Sequence, residues 1–359
     1  MAKKHIAVLF GGASSEHEVS RVSASYVIDH IPSDKYEVIR IGITKQGRWY
    51  LYNGSLDDIR SGAWENHPEN RVAFISPDTS VKGIVVLDGE KSEIIPIDVA
   101  FPVLHGKYGE DGTVQGLFRL AGIPFVGCDV LASADCMDKI VSNIIFEHEK
   151  IDQAAFTWLY AYEYRQNQQD SLDKIEKALP AYPIFVKPAN AGSSVGVTKA
   201  NNREELKKAI EIAMREDDRI LFEETIVGKE VECAVMGNDH PIAAVPGEIA
   251  PANEFYDYEA KYQNDASLLF IPARISEELA EKVRTTAIKA YKAIGCTGLS
   301  RVDFFVTDEG RILLNEINTL PGFTSISMYP KLMAAYGLKG SDLIEKLIDY
   351  AFERFENHV

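Results

Sequence analysis

The chain has 359 residues, enough for two or three domains, and its 46% hydrophobic and 26% charged side chains are ordinary for a globular protein. Its 54 acidic against 38 basic side chains leave a net charge of −16. That field repels nucleic-acid backbones and anionic membranes, so neither is an expected partner, and an anionic small substrate needs a locally basic pocket.

Four cysteines, Cys128, Cys136, Cys233 and Cys296, lack metal-ligand spacing and sit in apolar contexts. They read as buried free thiols in a reducing compartment. Met1-Ala2-Lys3-Lys4 leads straight into a strand, with no apolar leader and no stretch able to span a bilayer, so a cytoplasmic location is expected. His5 to Phe10 is that strand, Gly11-Gly12 a loop, and Val19 to Ile31 a helix. Tyr36 to Ile43 and Val99 to Leu104 are further strands, an α/β layer pattern that predicts a parallel sheet. Tyr50 to Asn70 is polar and reads as an irregular surface excursion, and Leu87 to Ile95 as a hairpin of edge strands.

Pro124-Phe125-Val126-Gly127 closes this region, and a helix follows with Met137, Ile140, Ile144 and Ile145 as its apolar stripe. After Trp158 to Glu163 and a polar segment at Gln166 to Asp170 comes the strand Ile184 to Lys187. Asn202 caps the next helix, with Glu205 three positions on. A third region begins near Leu221. It holds strands Cys233 to Met236 and Ile242 to Val245, a helix from Glu277 to Ile294 stopped by Gly295, a hairpin, and a last helix from Ser341 to Phe355. No repeat or low-complexity tract interrupts the chain.

The hairpin carries the sharpest signal. Arg301-Val302-Asp303 and Glu316-Ile317-Asn318 lie on two strands that flank Asp308-Glu309-Gly310. Alternation puts Arg301 with Asp303 on one face, and Glu316 with Asn318. If the turn sets Asp303 opposite Glu316, the two carboxylates repel unless a cation lies between them. A hard divalent ion suits that oxygen set. The alternative is an ion pair from Asp303 to Arg301 with Glu316 in solvent.

Other segments have two readings each. In Gly11-Gly12-Ala13-Ser14-Ser15-Glu16-His17-Glu18, Ser15 and Glu18 fit a capping box, while Glu16 suits a substrate ammonium group. His105 ends a strand in the flexible, glycine-rich run His105-Gly106-Lys107-Tyr108-Gly109-Glu110-Asp111-Gly112, where it either packs or acts. Lys187 ends a strand, and Gly192-Ser193-Ser194-Val195-Gly196 could lie over phosphates, although it lacks the ending of a P-loop. Lys139 is either a second phosphate ligand or an exposed helix lysine. Phe255 to Tyr262 places four aromatics among charges, as an edge strand or as a closing loop in which Lys261 meets a phosphate.

Taken in order from about residue 5 to 335, these motifs, with Met137-Asp138-Lys139 and Pro321-Gly322, resemble the D-alanine–D-alanine ligases, most of all their Gram-positive branch. The resemblance implies a three-domain ATP-grasp architecture: an N-terminal parallel-sheet α/β domain at 1–127, a central domain at 128–219 and a C-terminal domain at 220–359. It also implies a homodimer that forms D-alanyl-D-alanine for peptidoglycan, with ATP as co-substrate and two Mg2+ ions, replaceable by Mn2+. Lys139, Lys187, Asn315 and Glu316 would contact the nucleotide, with Ser193 and Ser194 on the phosphate flap and Lys261 on the transferred phosphate. Glu223, Glu224 and Ile226 would line the adenine pocket and Glu230 would hold the ribose. Asp303, Glu316 and Asn318 would hold the metal ions. Glu16 would take the first ammonium, in a triad with Ser193 and Tyr262. Arg301 and the Gly322 N–H would stabilise the oxyanion, and Ser327 the second carboxylate. His105 and the Ser193–Tyr262 pair are both open as the base. Tyr262 and Met328 favour D-alanine over D-lactate or D-serine as second substrate. Thr225, where relatives carry a larger side chain, departs from the pattern.

Overall fold

The computed structural model describes residues 2–250 and 268–357. Three sheets organise it, in a mixed α/β architecture. The first contains β1 (Lys4–Gly11), β2 (Tyr36–Ile43), β3 (Trp49–Leu51), β4 (Arg71–Ile75), β5 (Gly83–Asp88), β6 (Lys91–Pro96) and β7 (Val99–Pro102), in the order β6-β5-β4-β3-β2-β1-β7. Strand β1 is parallel to β2 and β7, and Ile6 to Phe10 are fully buried, as a strand covered on both faces requires. From β2 outward every pairing is antiparallel. The expected parallel sheet is therefore parallel only at its β2-β1-β7 end, because short turns such as the one joining β5 to β6 cannot make crossovers.

Helix α1 (His17–His30) has Glu16 at its N-cap without a side-chain cap bond. The expected capping box between Ser15 and Glu18 is absent, and Glu18 pairs with Lys45 at 2.5 Å instead. The polar excursion is more regular than its composition suggests. It holds β3, a short helix α2 (Leu56–Ser61) capped by Ser55, and a 3-10 turn that buries Trp64 against Phe10 with ring centroids 4.9 Å apart. Trp64, Tyr52 and Ile59 anchor it in one core, which hydrophobic periodicity does not reveal.

Helix α3 (Thr113–Ala121) precedes α4 (Val130–Met137) and α5 (Lys139–His148). A single helix was expected around Met137; instead the chain breaks at Asp138, whose carboxylate accepts from Ile140 N at 3.1 Å and Val141 N at 3.0 Å. Of the expected stripe Ile140 is buried, but Ile144 is 45% exposed.

The second sheet is antiparallel: β8 (Phe156–Tyr160), β9 (Ile184–Pro188), β10 (Thr198–Ala200) and β11 (Arg219–Glu224), in the order β10-β9-β11-β8. Helices α6 (Ala161–Gln166), α7 (Gln168–Ala178) and α8 (Arg203–Ala213) accompany it. Asn202 caps α8 as expected, accepting from Glu205 N at 3.0 Å. The third sheet comprises β12 (Lys229–Met236), β13 (Ile242–Ala243), β14 (Gly247–Ala250), β15 (Leu268–Phe270), β16 (Leu299–Val306) and β17 (Ile312–Asn318). Helix α9 (Glu277–Ala293) packs on it. After α10 (Met328–Tyr336), α11 (Ser341–Asn357) returns to the first sheet, where Leu343, Ile344, Leu347 and Ile348 share one core with Ile6, Val8 and Val99. Each such side chain contributes about 1.5–3 kcal/mol of burial. All four cysteines are buried free thiols. Among the described residues no helix is long and apolar enough to cross a membrane.

Candidate active site

A cavity of about 700 Å³ opens where the three sheets meet. Its floor is the β16–β17 ladder, where Asp303 stands opposite Glu316 and Arg301 opposite Asn318, with a bulge just after Asp303. Arg301 forks onto Asp303, Nε donating to Oδ1 at 2.8 Å and Nη2 to Oδ2 at 2.7 Å, and its Nε lies 3.1 Å from Glu232. Burial opposes the guanidinium charge, yet Asp303, Glu232 and Glu316 together hold it well above its ordinary range. The ion pair considered from the sequence is thus present. Its other half is not: the Glu316 side chain is 31% exposed and has Lys139 Nζ at 3.7 Å.

The floor fits a hard cation in the kind of its oxygen donors. Two carboxylates face each other across the ladder, and the Asn318 amide follows two positions along the Glu316 face. Among the described residues no three His, Cys, Asp or Glu side chains converge to cage a metal. An ion here would complete its shell with water and phosphate oxygens, the habit of magnesium.

The basic pocket that the acidic chain requires is also present. Lys139, Lys187, Lys199, Lys229 and Arg301 all line the cavity. Lys139 Nζ donates to Ala191 O at 2.8 Å, which ties α5 to the loop after β9. Lys187 Nζ lies 2.5 Å from Glu223 Oε2, while Asn143 holds Glu223 Oε1 at 3.0 Å. Burial works against the Lys187 charge, but Glu223 outweighs it and the amine sits above its usual range. Glu223, Glu224, Ile226 and Glu230 line the cavity, as does Asn315 beside Glu316. Glu224 accepts from Ala155 N at 2.9 Å, and Thr225 donates to Pro183 O at 2.6 Å, fastening the strand end.

Ser193 and Ser194 adopt left-handed backbone, φ 49° and 60°, which costs non-glycine residues about 1–3 kcal/mol each. That geometry turns Ser193 toward the first sheet, where its Oγ donates to Glu16 Oε1 at 2.5 Å. Glu16 is buried, and its Oε2 has no hydrogen-bond partner among the described residues. Two glycines make room for that carboxylate: a Cβ on Gly106 would lie 2.5 Å from Oε2, and one on Gly192 2.7 Å.

His105 is buried and pinned, not loose as its glycine-rich surroundings suggested. Its Nδ1 lies 2.9 Å from Leu320 O and its Nε2 3.1 Å from Ser23 Oγ. Burial pushes the imidazole below its ordinary range, against the pull of Glu16. Glu110 was not singled out from the sequence. Its carboxylate accepts from Gly106 N at 2.6 Å and Leu320 N at 3.3 Å, and burial, then the Glu16 charge, push it up to about 8. Ser23 and Asn143 were missed as well; small polar residues at helical spacing after Glu16 were the available sign for Ser23.

Ser327 caps nothing in α10 by its side chain but accepts from Thr324 N at 3.0 Å, and a Cβ on Gly322 would lie 2.7 Å from its Oγ. Met328 is buried and lines the cavity. Lys261, Tyr262 and the whole run from Phe255 lie outside the described residues.

Family models named D-ala D-ala ligase N-terminus and D-ala D-ala ligase C-terminus match residues 5–128 and 145–349. A D-alanine–D-alanine ligase of Ruminiclostridium cellulolyticum is 53% identical, over 99% of this chain and 97% of the relative. Among solved structures, the VanG D-Ala:D-Ser ligase from Enterococcus faecalis is 44% identical, with a TM-score of 0.89 over 98% of this chain and all of that one (100%). The D-alanine–D-alanine ligase from Coxiella burnetii is 34% identical, with a TM-score of 0.85 over 99% of this chain and 97% of that one. With both halves matched and the cavity formed where they meet, the chain belongs to the D-alanine–D-alanine ligase family.

Proposed function

We propose that this chain joins two D-alanine molecules to D-alanyl-D-alanine through D-alanyl phosphate, releasing ADP and phosphate, for cell-wall precursor synthesis. The observation that carries the reading is the floor of the cavity, where Asp303 faces Glu316 and Arg301 faces Asn318 beneath the Glu16–Ser193 bond.

A carboxylate is a poor electrophile, so a carboxylate oxygen of the first D-alanine attacks the γ-phosphorus of ATP, and the bond to ADP breaks. This step is chiefly positioning and charge neutralisation. Lys139 and Lys187 hold the phosphates, the Ser193–Ser194 flap covers them, and Lys261 reaches the transferred group. Glu223, Glu224, Ile226, Glu230 and Asn315 receive the nucleoside, with Glu223 also keeping Lys187 in place. Asp303, Glu316 and Asn318 would hold two magnesium ions, whose contribution when bound is to neutralise the triphosphate. Glu16 takes the ammonium of the first D-alanine, and Ser193 with Tyr262 closes the site over it. The amine of the second D-alanine then attacks the acyl carbon. Arg301 and the Gly322 N–H face the oxyanion, and phosphate departs with the acyl C–O electrons. Ser327 holds the second carboxylate.

The three regions 1–127, 128–219 and 220–359 are proposed as the working domains, except that β11 (Arg219–Glu224) pairs with β8 and β9 and so carries the middle sheet on to residue 224. We also assign a cytoplasmic homodimer. Support for the dimer is an apolar face across β4, β5 and β6, where Val72, Phe74, Leu87 and Ile94 are 48%, 42%, 42% and 55% exposed. Light scattering tests it, a monomer at working concentration being the adverse result.

D-Serine as second substrate is the alternative, favoured by the likeness to the VanG ligase. Buried Met328 argues for an apolar partner. ADP release with D-alanine, L-alanine, D-serine and D-lactate, singly and with D-alanine, decides. No ADP with D-alanine and magnesium would overturn the proposal.

A further inference from the structure

Helix α1 carries Ser23 two turns beyond Glu16, fully buried, at a junction between the first and third sheets. Its Oγ stands between His105 Nε2 at 3.1 Å and Phe323 N at 3.0 Å. The other ring nitrogen, Nδ1, meets Leu320 O at 2.9 Å. Counting protons settles this chain. A carbonyl oxygen only accepts, so Nδ1 carries the hydrogen. A backbone N–H only donates, so Ser23 Oγ accepts from Phe323 and is free to give its own proton to Nε2. Every donor and acceptor is matched with a neutral imidazole, and the single lone pair of the ring is used.

The same loop is held a second time. Glu110 Oε1 accepts from Leu320 N at 3.3 Å, so both polar groups of that residue are bound by the His105–Glu110 segment. Ser14 Oγ in turn donates to His105 O at 2.8 Å. Gly322 lies between the two fixed points, Leu320 and Phe323, and a Cβ there would come within 3.7 Å of Ser23 Oγ. The charged groups that act on the ring are Glu16 and Arg301, from α1 and β16.

We propose that Ser23 is a positioning residue that holds His105 by Nε2 while Leu320 O sets the tautomer at Nδ1, and that the pair clamps residues 320–323 so that the Gly322 N–H points at the reacting carbonyl. His105 then acts through that loop and is not the base. The inference rests on the ligase reading for its consequence in catalysis, but its geometry can be tested without turnover.

Nitrogen NMR of the full chain labelled at histidine reads the tautomer. The expected result is Nδ1–H with Nε2 accepting, and an Nε2 signal that moves in Ser23→Ala. An Nε2–H tautomer in the native chain, or no change on removing the hydroxyl, overturns the proposal whether or not dipeptide forms. In turnover, Ser23→Ala should lower kcat roughly ten- to hundredfold with KM for ATP unchanged, the scale of losing a group that orients an active-site partner. His105→Asn, which keeps a donor for Leu320 O but has no imidazole, should retain more activity than His105→Ala and keep the acid limb of the kcat–pH profile. A wild-type kcat in Ser23→Ala, or loss of that limb in His105→Asn, would refute the clamp. Failure of the wild-type chain to release ADP with D-alanine would instead count against the ligase reading alone.

Discussion

Glu16→Gln separates the recognition of substrate from the integrity of the fold. The carboxylate is 6% exposed; one oxygen accepts from Ser193 at 2.5 Å, and the other faces Gly106 and Gly192 with no described partner. Glutamine has the same shape and can still accept from Ser193, so the flap contact survives. What disappears is the charge offered to a substrate ammonium. A hydrogen bond to a charged group is worth about 1.5–3 kcal/mol, and about 1.4 kcal/mol is a factor of ten. KM for the first D-alanine should therefore rise about ten- to hundredfold, while KM for ATP stays put. Removing an unpaired buried charge should leave the free enzyme as stable as before, or more so. Steady-state kinetics with each substrate varied, together with urea denaturation, give both numbers. An unchanged D-alanine KM, or a rise matched by the ATP KM, would show that Glu16 serves the fold and not the ligand.

Glu316→Gln keeps the strand pairing but removes one of the two facing carboxylates, so turnover should vanish with the urea midpoint unchanged; turnover near wild type would dismiss the metal assignment. Burial, then the Glu16 charge, push the Glu110 carboxyl up to about 8 from an ordinary 4.5, so the folded state binds its proton more tightly. Its stabilisation is complete below pH 4.5 and is lost as pH rises through 8, by an amount on the order of a few kcal/mol. Glu110→Gln should flatten the fall in stability across that window, measured by denaturation at several pH values; an unaltered slope would discount the burial. Buried Arg354 donates to Gly127 O, Phe125 O and Thr297 Oγ1 at 2.5, 2.7 and 2.8 Å, tying α11 to the end of the first sheet. Arg354→Ala should cost about 2–5 kcal/mol by leaving carbonyls unpaired, and Arg354→Lys less, read from the urea midpoint; a loss under about 0.5 kcal/mol would show the tie to be idle.

The strongly local features of the fold were readable. Asn202 with Glu205, the β16–β17 hairpin and the β5–β6 edge all follow from the chemistry of neighbours, and each stands where it was expected. What escaped depends on contacts distant in sequence. Asp138 breaks the Met137 helix and also meets Asn190 at 3.2 Å, so its carboxylate serves a loop some fifty residues on. The capping box at Ser15 failed because Lys45, on the far side of β2, takes Glu18. Trp64, with Tyr52 and Ile59, anchors an otherwise polar segment in the core, and no period in the sequence marks them.

The site was readable in a different way. Residue types at motif positions pointed to Glu16, Lys139, Lys187, Arg301, Asp303 and Glu316, and all six line one cavity. Which of them hold one another was not readable, because a carboxylate in a motif looks the same whether it faces a ligand or a lysine. Glu223 illustrates this: it lines the cavity and is also held by Lys187 and Asn143, which its place in a motif does not show. Ser193 and Ser194 illustrate the converse. Their left-handed backbone violates local preference, and a sequence reader has no reason to assign it to two serines in a row. The strain persists because Ser193 closes on Glu16, 177 residues away. Local rules break here because a distant partner, not a neighbour, fixes the conformation, and this is also where the two halves of the chain must meet around substrate.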